Sequence, residues 1–384
     1  MTRIDAPWLK HDAAQQVCRV LTDAGYQAWF VGGCVRNTLL NEPVADLDLT
    51  TDAHPERVTQ LAKAAGLRVV PTGIAHGTVT IVAQNIPFEV TTFRRDVATD
   101  GRRATVAYAD NMADDARRRD FTMNALYAGP DGTLADPLDG LPDLQARRIR
   151  FIEDPDRRIQ EDYLRILRFF RFLAWYGDPA EGPDPEGLAA CAANVEGLAR
   201  LSRERVTSEM LKLLAAPDPA PAVASMASTG ALAQVLPGAS AQVLPVLIHV
   251  EKAAGLAPDP IRRLAVLGGD PSARLRLSKQ QMAALDMIQS DLPPGALGYR
   301  FGADRALDAL AVRAAAIGQE IDPNPAEMAR FGAAQNFPLT AADLMPERQG
   351  PALGLALKEA EARWIASDFQ LTKAELLTPS DTKP

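Results

Sequence analysis

The chain has 384 residues, 47% hydrophobic and 23% charged, with a formal net charge of −8. At about 150 residues per domain this predicts two to three domains of an ordinary soluble globular protein. The charge excludes a uniformly basic nucleic-acid binder, and no apolar run approaches the roughly 18 residues that span a bilayer.

The N-terminus carries no signal-peptide pattern. Cys18, Cys34 and Cys191 are scattered, with no ligand spacing and no even framework. A reducing cytoplasm is the expected setting.

The first 150 or so residues read as α/β. Gln27 to Val31 predicts a short strand, Gly32-Gly33 a turn, and Val35 to Leu40 a helix. Leu47 to Thr51 predicts a second strand. Pro55, at the first turn of a helix, opens a segment that Gly66 closes. Leu67 to Val70, Thr78 to Ala83 and Pro87 to Arg94 are short β-branched runs that predict further strands, with Gln84-Asn85 as a hairpin turn. Asp100, Gly101, Arg102 and Arg103 read as a polar loop. Beyond Ile149 the pattern is helical throughout. Arg157 to Tyr176 predicts one long helix, and Pro- and Gly-rich breaks punctuate the remainder.

Chemistry concentrates in the first half. Side chains alternate along a strand, so Asp46 and Asp48 are expected on one face. Two close carboxylates are costly without a cation. Oxygen ligands suit Mg²⁺, which takes one or two carboxylates together with substrate phosphates. Glu89 is a third acid in an otherwise apolar strand. Three carboxylates on neighbouring strands can hold two metals for phosphoryl transfer. The rival reading of D-x-D alone is structural.

Gly32 and Gly33, between strand and helix, let backbone N–H groups approach phosphate oxygens, and Arg36 adds charge. The alternative is a plain tight turn. The chain has no Walker A and no dinucleotide fingerprint after a strand. The stretch Arg117 to Ala125 is dense enough in polar groups to bind a triphosphate and a ribose together. Asp162 and Arg165 lie three apart, so on a helix they share a face. An acceptor beside a donor matches the amino group and ring nitrogen of cytosine or adenine, whereas guanine and uracil present the reverse polarity. The alternative is a helix salt bridge, Glu161 to Arg165.

Five ordered motifs then join. They are Gly32-Gly33-x-Val35-Arg36 with Asp46-x-Asp48; Arg118-Arg119-Asp120-Phe121-Thr122-x-Asn124-Ala125; Asp136-Pro137-x-x-Gly140-x-x-Asp143-Leu144; Glu161-Asp162-x-x-Arg165-x-x-Arg168; and Ser202-x-Glu204-Arg205 with Glu209. Over about residues 25–240 the chain resembles the bacterial-type (class II) tRNA nucleotidyltransferase and poly(A) polymerase family, among the polymerase-β-like nucleotidyltransferases.

The resemblance implies an α+β head with a mixed sheet, followed by all-α neck, body and tail, at residues 1–149, 150–215, 216–298 and 299–384. It implies addition of C, C and A to the tRNA 3′ end from CTP and ATP, with two Mg²⁺ ions. The tRNA would be gripped at its 3′ end and acceptor arm, and no membrane or protein partner is implied. Asp46 and Asp48 are implied as metal-binding catalytic carboxylates, with Glu89 as the third. Gly32, Gly33 and Arg36 are implied as triphosphate contacts, Arg119 and Asp120 as the ribose-sensing pair, and Asn124 as a phosphate or ribose contact. Asp162 and Arg165 are implied as the template that reads the base, with Arg168 nearby. The Asp100 to Arg103 stretch is implied as the flexible loop that serves the switch from C to A, and Ser202 to Glu209 as a structural element of the neck.

Two positions depart from the family pattern. Asn37 replaces the acid usual after Arg36, and Asn41 stands where glycine is common. The rivals are a poly(A) polymerase, an enzyme adding only CC or only A, and an inactive RNA-binding module. A basic C-terminal region would favour the polymerase, and the chain has none.

Overall fold

The computed structural model describes residues 3–70, 73–74, 77–100, 103–345 and 347–378, with backbone alone for 96–100 and 103–106. The chain divides into two compact units, Met1–Pro237 with Asp270–Leu275, and Gly238–Gly269 with Arg276–Pro384.

In the first unit, α1 (Asp12–Thr22) precedes β1 (Trp29–Val31), α2 (Gly33–Leu40), β2 (Asp48–Thr51) and α3 (Pro55–Ala64). Then come β3 (Arg68–Val70), β4 (Thr78–Ala83), β5 (Ile86–Thr92), β6 (Arg94–Asp100), β7 (Arg103–Tyr108), α4 (Met112–Arg117), β8 (Tyr127–Ala128) and β9 (Leu134–Ala135). Seven strands form one sheet in the order β3-β4-β5-β2-β1-β8-β9, and β6-β7 form a separate ribbon. Only the β2–β5 pairing is parallel among these neighbours, so the sheet is mixed.

Alternation fixes the sheet's core face. Val79, Ile81 and Ala83 of β4 and Phe88 and Val90 of β5 are buried, while Glu89 is exposed. Helices α1 and α3 pack against β4 and β5. On α1, Ala13, Val17, Cys18 and Leu21 recur at helical spacing and are buried. Gln84 and Asn85 take φ of 50° and 65° between β4 and β5, the left-handed pair of a two-residue hairpin.

Three expectations change. The second strand begins at Asp48, so Asp46 lies on the irregular approach to β2 and strand alternation does not place it. The strand expected to end at Arg94 stops at Thr92, and a new strand begins at Arg94. Asp100 and Arg103, read as part of a polar loop, are the last pair in the register of a two-stranded ribbon. Gly101 and Arg102 lie outside the described residues.

The long helix is also two helices. After α5 (Leu141–Gln145), α6 (Pro155–Glu161) stops and α7 (Leu164–Tyr176) restarts. Asp162 between them is extended, with φ −155° and ψ 105°. Its Oδ1 accepts from the Leu164 N–H at 3.1 Å, the local bond by which Asp competes with helix continuation. Helices α8 (Pro185–Ala193), α9 (Arg203–Leu214), α10 (Ala220–Ser228) and α11 (Ala231–Val235) follow, and α7 packs on α9 and α10. An aromatic cluster pins α7 to the sheet-bearing part. Phe121 lies 4.9 Å from Phe151 and 5.0 Å from Phe172, and Phe151 stacks on Phe169 at 5.5 Å.

The second unit is helical among the described residues. Its interior holds a buried ion-pair network in which Arg262 bonds Glu251 at 2.9 Å and Asp308, while Arg263 bonds Glu251 at 2.8 Å. Trp364, Phe369, Ile365 and Leu339 make a separate apolar cluster.

Candidate active site

The first wall is the turn from β1 to α2. Gly32 caps the helix at φ 73° and ψ −119°, a conformation that calls for glycine. The first backbone N–H groups of α2 have no helical acceptor. Arg36, one turn in, is buried. Its guanidinium lies 4.1 Å from the Tyr176 ring centroid and 5.1 Å from that of Phe172. It donates to the Tyr176 hydroxyl at 2.8 Å, to Asn124 Oδ1, and to Asn37 Oδ1 through both Nε and Nη2. Helix α7 therefore holds the arginine's orientation.

The second wall is acidic. Asp48 of β2 is in parallel register with Glu89 of β5, so both side chains rise from the same face. Burial pushes the Asp48 carboxyl above its ordinary value, Glu89 adds to this, Arg119 opposes it and Asp46 raises it further. Asp46 is thus close enough to be felt without lying on the strand. Among the described residues no three His, Cys, Asp or Glu side chains are gathered into a ready metal cluster. The donor set is nonetheless all carboxylate oxygen, with two negative neighbours that Arg119 only partly offsets, which fits a hard divalent cation by type.

The third wall is the segment after the ribbon. Arg119 donates to Asp115 Oδ2 at 3.0 Å and to the Tyr127 hydroxyl at 3.2 Å, and its Nη1 is 3.6 Å from the place where a Cβ on Gly32 would stand. Burial works against its charge, but Asp115 and Tyr127 raise its pKa well above the usual value. Asp120 is buried; it accepts from Arg168 Nε at 2.6 Å, from Asn124 Nδ2 at 2.9 Å and from the Phe121 N–H. Burial would raise its pKa, yet Arg168 and Asn124 hold it far below the carboxylate range.

The fourth wall is the break between α6 and α7. The side chains of Asp162 and Arg165 do not bond each other, although the Arg165 N–H donates to the Asp162 carbonyl at 3.0 Å. Asp162 Oδ2 accepts from Arg205 of α9 at 2.6 Å. Arg165 donates to Glu161 Oε2 and to the Arg158 carbonyl, each at 2.6 Å. The salt bridge from Glu161 to Arg165 therefore exists alongside whatever else Arg165 does. Each Asp162 oxygen has a second lone pair and keeps acceptor capacity.

The four walls enclose a cleft of about 420 Å³ lined by Gly32, Gly33, Arg36, Asp48, Arg118, Arg119, Asp120, Asn124, Asp162, Arg165, Arg168 and Arg205 among others. Asp46 and Glu89 stand beside Asp48 and do not line it. The cleft has the size of a small-molecule site, with cationic donors facing one acidic corner. Sequence reading missed three residues that shape it, Asp115, Tyr176 and Phe172, and left a fourth, Arg205, without its partner. Asp115, fully buried, anchors Arg119; its signal was the i,i+4 spacing. Tyr176 and Phe172 both lie against Arg36 from far along the chain, and only their place on a shared helix face hinted at this. Arg205 was quoted within a motif, but its partner lies 43 residues away.

Residues 28–150 match the family described as poly A polymerase head domain, and residues 183–243 that described as probable RNA and SrmB- binding site of polymerase A. The chain is 41% identical over 221 residues to a CCA-adding enzyme of Levilactobacillus brevis, covering 57% of this chain and 54% of that one. It is 39% identical over 204 residues to the human mitochondrial CCA tRNA nucleotidyltransferase 1, covering 53% and 47%. The chain thus spans about half the length of the curated relatives it matches. Among solved structures it is similar to a Bacillus stearothermophilus CCA-adding enzyme in complex with CTP, with TM-score 0.75, 29% identity, and coverage of 95% of this chain and 94% of that one. A Thermotoga maritima CCA-adding enzyme complexed with tRNA shares the fold at TM-score 0.65 and 17% identity, with coverage of 97% and 95%.

Proposed function

We propose that the chain belongs to the class II tRNA nucleotidyltransferase and poly(A) polymerase family and that it adds C, C and then A to the tRNA 3′ end from CTP and ATP. Its fold is the polymerase-β-like head with a mixed sheet followed by helices. One observation carries the proposal: a single cleft gathers the Gly32-Gly33 turn, Arg36, Asp48 and the Asp162–Arg165 pair.

The reaction is attack of the RNA 3′ hydroxyl on the α-phosphorus of the bound nucleotide. A new oxygen–phosphorus bond forms, the bond to the β-phosphate bridge breaks, and pyrophosphate leaves with the hydroxyl proton passing to solvent. Catalysis of such a step is positioning plus charge stabilisation. Asp46, Asp48 and Glu89 would hold two Mg²⁺ ions, which when bound supply Lewis acidity to the hydroxyl and charge neutralisation to the departing pyrophosphate. The N–H groups at the start of α2, with Arg36, cradle the triphosphate. Arg119, Asp120 and Asn124 address the ribose and phosphates. Asp120 acts from within a network it shares with Arg168 and Asn124.

Asp162 accepts from the exocyclic amino group and Arg165 donates to the adjacent ring nitrogen, a pattern that C and A satisfy and G and U do not. The head, neck, body and tail division at 149, 215 and 298 is the functional one we adopt, with the tRNA acceptor arm along the helices. Three free, buried cysteines support a cytoplasmic setting.

The test is direct. Purified protein, Mg²⁺, CTP and ATP are incubated with a tRNA ending at its discriminator nucleotide, and the product ends are sequenced. Terminal CCA is expected. Ends of CC only, or a single A only, identify a partial enzyme, and no extension identifies an inactive RNA-binding module; each contradicts the proposal.

A further inference from the structure

Asn37 sits at the joint between two walls of the cleft. Its Oδ1 accepts from Arg36 Nε at 3.1 Å and from Arg36 Nη2 at 2.8 Å, while its Nδ2 donates to the Pro43 carbonyl at 2.7 Å. These contacts admit one orientation of the amide, because a guanidinium offers only donors and a carbonyl only acceptors. The Asn37 carbonyl also accepts from the Glu42 N–H at 2.8 Å, closing the left-handed turn at Asn41, which has φ 58°. Pro43 lies three residues before Asp46, on the irregular stretch that strand pairing does not hold.

We infer that Asn37 is a positioning residue. The two ends of its amide hold the triphosphate-facing Arg36 and the approach to Asp46 in one register. The inference rests on the function proposed above. An aspartate here would keep the Arg36 end, but it has no donor for Pro43 and would set an anion against that carbonyl. It would also compete with a phosphate for the guanidinium. The acid usual in the family is therefore not equivalent to Asn37 in this chain, because the Pro43 contact uses the amide N–H.

The test compares wild type with Asn37→Asp and Asn37→Ala by steady-state CMP addition to tRNA and by hydrogen–deuterium exchange of residues 42–47. Both variants lose the donation to Pro43, so both are expected to lower kcat by about tenfold, the scale of a sub-ångström misplacement. Both are also expected to exchange faster in 42–47 with the rest of the first unit unchanged. Asn37→Asp is expected to raise KM for CTP as well. Wild-type kcat and wild-type exchange in Asn37→Asp would overturn the inference. Faster exchange throughout the unit would also overturn it, since Asn37 would then support the fold at large. If wild type itself adds no CMP, the proposed function fails first, and the exchange result still decides the role of Asn37.

Discussion

Arg205 Nη2 stands 2.6 Å from Asp162 Oδ2, so the carboxylate at the break between α6 and α7 is aimed by a residue of α9. The pair is about three-quarters buried at each partner, and its geometry is charge-assisted. Arg205→Ala leaves Asp162 held only by its Oδ1 bond to the Leu164 N–H, and the base-reading acceptor loses its tertiary anchor. We expect UMP and GMP incorporation to rise at least about tenfold relative to CMP, with Arg205→Lys intermediate. Arg165→Ala removes the donor half and should relax selection to a similar degree. Competition assays with mixed nucleotides measure both. Unchanged discrimination in both variants would remove the Asp162–Arg165 pair from base selection.

Asp48 carries a cost that its removal should reveal. Its carboxyl is held above the ordinary value by burial and by Glu89, so the native state binds its proton more tightly than the unfolded chain does. Its contribution to stability is therefore unfavourable once ionised, and it worsens as pH rises from the ordinary carboxylate value through the raised one. Asp48→Asn should abolish nucleotide transfer, leave tRNA binding in place, and raise the melting temperature at neutral pH. Retained turnover would refute the carboxylate's assignment. A lowered melting temperature would refute its electrostatic environment.

Asp120 behaves in the opposite sense. Arg168 and Asn124 hold it ionised against the effect of burial, so its contribution to stability is full above the ordinary Asp value of about 4 and is lost as pH falls below it. Asp120→Ala leaves Arg168 without its partner and should cost about 3 kcal/mol, the low end for a broken buried pair because Arg168 is 32% exposed. Urea unfolding at pH 7 and at pH 3 measures it. The variant's deficit should shrink at the lower pH, and a constant deficit would contradict the charge assignment.

Much of this architecture was legible because its signals are local. The Gly32-Gly33 turn, Pro55 at the start of α3, and Gln84-Asn85 between β-branched runs each specify one backbone conformation. The break at Asp162 was not legible. Neither proline nor glycine marks it, and apolar periodicity runs straight through from Ile159 to Leu164 and Leu167. What stops the helix is a side-chain bond to Leu164 N–H together with a tertiary ion pair to α9. The ribbon was not legible as such: Arg94 and the Asp100 to Arg103 stretch read as a strand end and a polar loop, and the pairing of β6 with β7 is a relation between two segments that neither shows alone. Asp46 was placed on a strand because D-x-D among apolar residues looks like one, but β5 pairs only as far as Asp48 and β1 only as far as Leu49. The partners of Arg36 come from α7, and no local pattern announces a contact across 140 residues.

The central claim is that one cleft reads its nucleotide by protein side chains and changes its choice as the RNA end grows. The measurement that tests it most directly offers ATP alone to two tRNAs, one ending at the discriminator nucleotide and one ending in CC. The account requires a single A on the tRNA ending in CC and no addition to the other. A long A tail on either substrate would contradict it and make the protein a poly(A) polymerase.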